Sequence, residues 1–175
     1  MTFDDLFNNF THSAFRLETL PQYLVDEESE DFATWKAGRS LPERSPRTSP
    51  WLRRIQDTTW SGKAWCRVHV VDKPLSEYVR YEVVGYRESA AAGEDVRIAD
   101  RAASQLLEGL TSDFWLFDGD TDHAVAVLMR YDLAGHFIGW DPTEDPVTIR
   151  SCRERRDIAL AYSLPLAEAE ELLAA

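Results

Sequence analysis

The stretch Asp113–Asp141, DFWLFDGDTDHAVAVLMRYDLAGHFIGWD, decides the fold class. Val125, Val127, Met129 and Tyr131 alternate with Ala124, Ala126, Leu128 and Arg130, the period of two that a strand imposes. Both sets are largely apolar, as expected of a central strand covered on each face. Asp132-Leu133-Ala134-Gly135 is turn chemistry, and it returns the chain through Phe137, Ile138 and Trp140. With the acidic turn Asp118–Asp122 before it, the segment predicts an antiparallel strand meander in an α+β domain.

Working outward, Asp145-Pro146 reads as a helix cap followed by a first-turn proline, starting a helix towards Tyr162. A last short helix after Pro165 carries Leu166, Leu172 and Leu173. Towards the N-terminus, a helix across Arg101–Glu108 follows a short strand near Val96–Ile98. Pro74 and Ser76 open a helix that Gly93 closes, with Leu75, Tyr78, Val79, Val83 and Tyr86 on its apolar face. Trp51–Trp60 and Ala64–Val71 flank Ser61-Gly62 and read as a β-hairpin. In its second arm Cys66, Val68 and Val70 oppose Trp65, Arg67, His69 and Val71. Arg39–Pro50 has three prolines and three arginines among serines and reads as a loop.

The first forty residues read as helical. Phe3, Leu6, Phe7 and Phe10 form an amphipathic stripe, and Glu28–Ala37 has acids in its first turn and Gly38 after it. The expectation is a single α+β domain over residues 1–175, with about five antiparallel strands and N-terminal, central and C-terminal helices packed on them.

Composition limits function. Hydrophobic residues make up 44% of the 175, enough for a core and too many for a disordered chain. No apolar run approaches the roughly 20 residues needed to cross a bilayer. The N-terminus MTFDDLFNNF is acidic where a secretory signal is basic, and Cys66 and Cys152 lack CxxC spacing, so a cytoplasmic protein with two buried free thiols is expected. The formal net charge is −12, unevenly spread: residues 94–149 hold twelve acids against three arginines, while residues 38–56 hold five arginines against Glu43. Such a field disfavours a polyanion. Direct nucleic-acid binding, which would have to use Arg39–Arg54 and Arg150–Arg156, is not expected.

Motifs for chemistry are sparse. Asp118, Asp120 and Asp122 alternate like the first half of a calcium loop, yet the positions requiring Gly and Glu are His123 and Met129. The four histidines have no ligand spacing, and no phosphate loop, dinucleotide fingerprint or serine elbow occurs. No metal, cofactor or catalytic residue is expected. Cys66 and His69 have opposite parity on one strand and make no dyad. One grouping stands out: Arg67 on a strand, Arg80 and Glu82 on the next helix, and Asp113 and Asp118 in the meander all sit in apolar surroundings. Charges enter such places when paired or functional. They predict an Arg–carboxylate network, or a polar pocket for a small anion with Trp115 and Trp140 as walls.

Several strings carry a family resemblance: Phe15-Arg16-Leu17-Glu18 with Tyr23, GKAWCRVHVVDKPLSEYVRYE at Gly62–Glu82, Ala92-Gly93-Glu94-Asp95, DFWLFD at Asp113–Asp118 and MRYDLAGHFIG at Met129–Gly139. Together they resemble a family of small acidic proteins of unknown function from high-GC filamentous bacteria, often encoded near helix-turn-helix regulators. The resemblance implies an accessory role beside a regulator and brings no catalytic residues. The expected function is a non-catalytic regulatory or interaction protein contacting a basic protein partner, such as a helix-turn-helix regulator, through its acidic surface. The alternative is a small-molecule binder or enzyme built on the Arg67, Arg80, Glu82 and Asp113 region.

Overall fold

The computed structural model describes residues 2–169 and 172–173. Thr2 opens helix α1 (Phe3–Asn9) with a reciprocal capping box: its hydroxyl accepts from Asp5 N at 3.1 Å, and Asp5 accepts from Thr2 N at 2.6 Å. The chain then enters strand β1 (Ser13–Glu18), helix α2 (Ser29–Lys36) and helix α3 (Pro50–Trp60). Strand β2 (Ala64–Val71), helix α4 (Glu77–Ala92) and strand β3 (Asp95–Asp100) follow. After the one-turn helix α5 (Gln105–Glu108), strands β4 (Phe114–Phe117), β5 (Val125–Tyr131) and β6 (Phe137–Thr143) form the meander. Helix α6 (Pro146–Ala161) and the two-residue strand β7 (Leu164–Pro165) end the described sheet. The rest of the expected C-terminal helix, at 170–171 and 174–175, lies outside the described residues.

The architecture is mixed α+β, and the five-strand antiparallel expectation is corrected. Seven strands form one sheet in the order β6-β5-β4-β1-β2-β3-β7. β1, β2 and β3 are parallel, joined by crossovers through α3 and α4, while the β4–β5–β6 meander is antiparallel as expected. Trp51–Trp60 is a helix, not a hairpin arm. Ser49 caps it, accepting from Leu52 N at 3.4 Å, Pro50 occupies the first turn, and Leu52 and Ile55 bury at helical spacing. Arg16–Glu18 is likewise strand, not helix. Arg, Leu and Glu favour helices, but here β1 lies between β2 and β4 and tertiary pairing prevails.

Layering follows from strand parity. Phe15, Leu17, Val68, Val70, Phe114, Leu116 and Ala126 face α6, through Ile149, Cys152 and Ala159. Ala14, Trp65, Trp115, Phe117 and Val127 face α1 and α3, and Val71, Val96 and Ile98 meet α4 through Val79, Val83 and Tyr86. Asp118, among the described residues the non-glycine one with positive φ (49°), turns back to accept from the N–H groups of Thr11, His12 and Ser13 at 2.8, 2.6 and 3.0 Å. Burial opposes its ionisation, but those backbone donors hold its carboxyl below the usual range. Asp120 pairs with Arg156 at 2.9 Å. The acidic turn thus clamps the start of β1 and the last long helix. Residues 39–49 form neither helix nor strand, yet Arg44 ties them to α4 through Glu88 at 2.8 Å. Cys66, expected to be buried, is half-buried, while Cys152 is buried.

Candidate functional site

The face of the sheet towards α4 carries charge at its centre. Parallel pairing sets Arg16 beside Arg67 and Glu18 beside His69, and alternation directs all four to the same face. They sit at the second half of β1, where parallel and antiparallel halves of the sheet meet. Asp113 precedes β4, Glu94 precedes β3, and Glu82 and Tyr86 stand one turn apart on α4.

The ion pairs are tight. Arg67 Nη1 donates to both oxygens of Glu18 at 2.9 Å, and its Nε donates to Glu94 at 3.1 Å. Its guanidinium lies over the rings of Tyr86 and Trp115, at 5.4 and 5.9 Å from their centroids. Arg16 Nη2 donates to Asp113 at 2.9 Å and Nε to Glu18 at 3.4 Å. Asp113 also accepts from Tyr23 OH at 2.5 Å and from the backbone N–H and hydroxyl of Thr19 at 2.9 and 2.7 Å. Burial alone would raise the Glu18 carboxyl, but Arg67 and then Arg16 pull it down to about 2. Burial disfavours the charge on Arg67, and Glu18 and Glu94 more than restore it. Arg16 Nη1 and Glu94 Oε2 are buried without a protein partner among the described residues.

A second chain of contacts is neutral. His69 is fully buried, and burial lowers its pKa. In the neutral ring Nε2–H donates to the Leu20 carbonyl at 2.9 Å, so Nδ1 accepts from Tyr86 OH at 2.7 Å. Tyr86 OH also lies 3.0 Å from Glu18 and 3.2 Å from Glu82. Burial and the Glu18 charge raise the Glu82 pKa well above its ordinary value, against the opposing pull of Arg67 and the Tyr86 hydroxyl. Glu82 therefore supports folding fully below 4.5, its ordinary value, and that support is lost as pH rises through the raised folded value. Glu82→Gln keeps the neutral form at every pH. Thermal unfolding is expected to show the variant matching wild type below about pH 4 and gaining on it as pH rises towards 8, by about 1.4 kcal/mol for each unit by which the folded pKa is raised. A pH-independent difference would contradict the assignment.

Two clefts flank the cluster. One, of about 370 Å³, exposes Arg67, Glu82 and Tyr86 between α4, α2 and the 39–49 loop. The other, of about 490 Å³, reaches Asp113 and Tyr131 beside Leu133 and Ile138.

Of the residues singled out from sequence, Arg67 and Glu82 come together in the first cleft, and Asp113 joins the same network through Arg16 and Glu18. Trp115 lies beneath both arginines, 5.7 Å from Arg16 and 5.9 Å from Arg67. Arg80 is apart, exposed on α4 and donating to the Leu75 carbonyl at 3.4 Å. Asp118 clamps β1, and Trp140 packs on Phe3 with ring centroids 5.2 Å apart. Sequence reading missed Arg16, Glu18, Glu94, Tyr23, His69 and Tyr86. The signal available for the first two was the alternation Ala14-Phe15-Arg16-Leu17-Glu18, which marks a strand with charge on one face.

Among the described residues no group of three or more His, Cys, Asp or Glu side chains is arranged to hold a metal ion, and no helix is long and apolar enough to cross a membrane. No curated protein and no solved structure matches the chain. A family model, by contrast, matches residues 1–169, a span that includes every residue of the charged cluster and both clefts. The chain belongs to that family, described as a domain of unknown function (DUF6879).

Proposed function

We propose that this is a non-catalytic interaction protein that engages a basic protein partner through its acidic surface. The observation that carries this reading is the closure of the central cluster. Arg16 and Arg67 each face carboxylates from two residues, which commits the cations that an anionic substrate would need. The chain meanwhile keeps a formal charge of −12, a field that attracts a basic partner and repels nucleic acid. The family resemblance points to a DNA-binding regulator as partner, with any contact to DNA made by the partner alone. Both cysteines are free, in keeping with a reducing cytoplasm.

The test is capture from the native cell. The tagged protein is expected to retain a basic regulator, with retention falling as salt rises from about 50 to about 300 mM. Turnover of a metabolite that disappears in folded Arg67→Gln protein would overturn the reading, and so would retention of bare DNA.

A further inference from the structure

The cleft over α4 holds more acceptors than the protein itself uses. Its volume of about 370 Å³ falls in the range of ligand sites. Two cations line it, and both are occupied. Arg67 is held by Glu18 and Glu94. Arg44 lies across Gly85, where a Cβ would stand 3.1 Å from its Nη2, and its backbone N and Nε donate to Glu88 at 3.0 and 2.8 Å.

The acceptors are less committed. Asp31, half-buried on α2, makes no hydrogen bond or ion pair among the described residues. Glu28 gives one oxygen to Tyr78 OH at 2.8 Å. Glu82 contacts Tyr86 through one oxygen only. Tyr81 is a second, independent sign of an incomplete site: it is 7% exposed, lines the cleft, and its hydroxyl has no partner among the described residues. Burial, then Glu28 and Asp31, push that hydroxyl up to about 12, as expected of a phenol set beside these acids.

We infer that this cleft is a recognition site for one guanidinium or primary ammonium group, presented as an arginine or lysine side chain by the basic partner. The inference rests on the proposed function and adds the place of contact. A guanidinium offers five donors in a plane, matched by the free oxygens of Asp31, Glu28 and Glu82 and the hydroxyl of Tyr81. The rings of Tyr81 and Trp51 line the same space and suit the face of a cation. Glu82 is the adjustable member. Glu18, Arg67 and His69 face it from the sheet, Tyr86 from its own helix and Glu28 from the turn before α2. An arriving cation offsets burial and the Glu18 charge, so Glu82 releases a proton as the ligand binds.

The probes are agmatine and a short arginine-containing peptide, followed by NMR shifts of Tyr81 and Trp51 and by calorimetry in buffers of different ionisation enthalpy. Both probes are expected to bind wild type with proton release and to bind Asp31→Asn and Glu82→Gln about tenfold or more weakly, with Glu82→Gln losing the proton release. Circular dichroism confirms that each variant is folded. Binding of agmatine without the peptide supports the cation site and assigns its natural occupant to free amines. No shift with either probe at about 10 mM overturns the site. If the native partner is captured equally by wild type and both variants, the cleft is the wrong surface while the proposed function stands.

Discussion

Asp113→Asn is expected to destabilise the fold by about 3–5 kcal/mol, the range found when one member of a buried ion pair is removed. The carboxylate is 3% exposed and accepts from Arg16, Tyr23 and both donors of Thr19. An amide of the same shape keeps the volume and removes the charge. Arg16, 4% exposed with Nη1 already unpartnered, then keeps only the long contact to the Glu18 carboxylate at 3.4 Å and the neutral Tyr131 hydroxyl at 3.2 Å. Denaturant unfolding measures the loss, and a thermodynamic cycle with Arg16→Met assigns it. The double variant is expected to be more stable than the sum of the singles by about 1–3 kcal/mol, because removing both charges leaves neither stranded. Strict additivity would mean that Asp113 acts through Thr19 and Tyr23 rather than through the pair.

Phe7→Ala is expected to cost a similar amount, about 3–5 kcal/mol. Phe7 contacts five aromatic rings, with centroids at 5.0 Å to Trp115, 5.1 Å to Trp51, 5.2 Å to Phe3 and Phe117, and 5.7 Å to Trp65. Edge-to-face pairs contribute about 0.5–1.5 kcal/mol each beyond area burial, and truncation also leaves a cavity. α1 is seven residues long and cannot hold itself in water, so Phe7, with Leu6 and Phe10 in the same core, fixes it to the sheet. Phe7→Leu separates shape from hydrophobicity and should recover more than half of the loss. Near-UV circular dichroism should fall with Phe7→Ala, since Trp51, Trp65 and Trp115 lose a shared neighbour. A loss below about 1 kcal/mol would show that α1 contributes little to the core.

How much could be read in advance depended on local punctuation. α4 and α6 were legible because Ser76, Gly93, Asp145 and Pro146 act within a few residues of the ends they set. The Asp132–Gly135 turn was legible for the same reason, with Gly135 at φ 95° and a Cβ there 2.5 Å from the Gln22 carbonyl oxygen. β1 was not legible, because its partners lie far along the chain and its own residues favour helix. α3 was misread because its aromatic and branched residues outweighed the Ser49-Pro50 signal. Of the site, Arg67, Glu82 and Asp113 stood out as charges in apolar strings. Arg16 and Glu18 were hidden by the helical reading of β1. His69 and Tyr86 looked like ordinary strand and core residues until the fold brought them within 2.7 Å. Arg80 shared the local pattern, but its position on α4 turns it to solvent.

The placement of β1 at the junction of the sheet has a consequence for how the chain is made. Ser13–Glu18 emerges from the ribosome before either partner, since its parallel neighbour begins at Ala64 and its antiparallel neighbour at Phe114. Asp113, the closer of the two carboxylates that face Arg16, is synthesised 97 residues after it. Until then the nascent strand has two open edges and Arg16 lacks its closer carboxylate, so the central ladder forms late, and the distant pairing makes for slow folding.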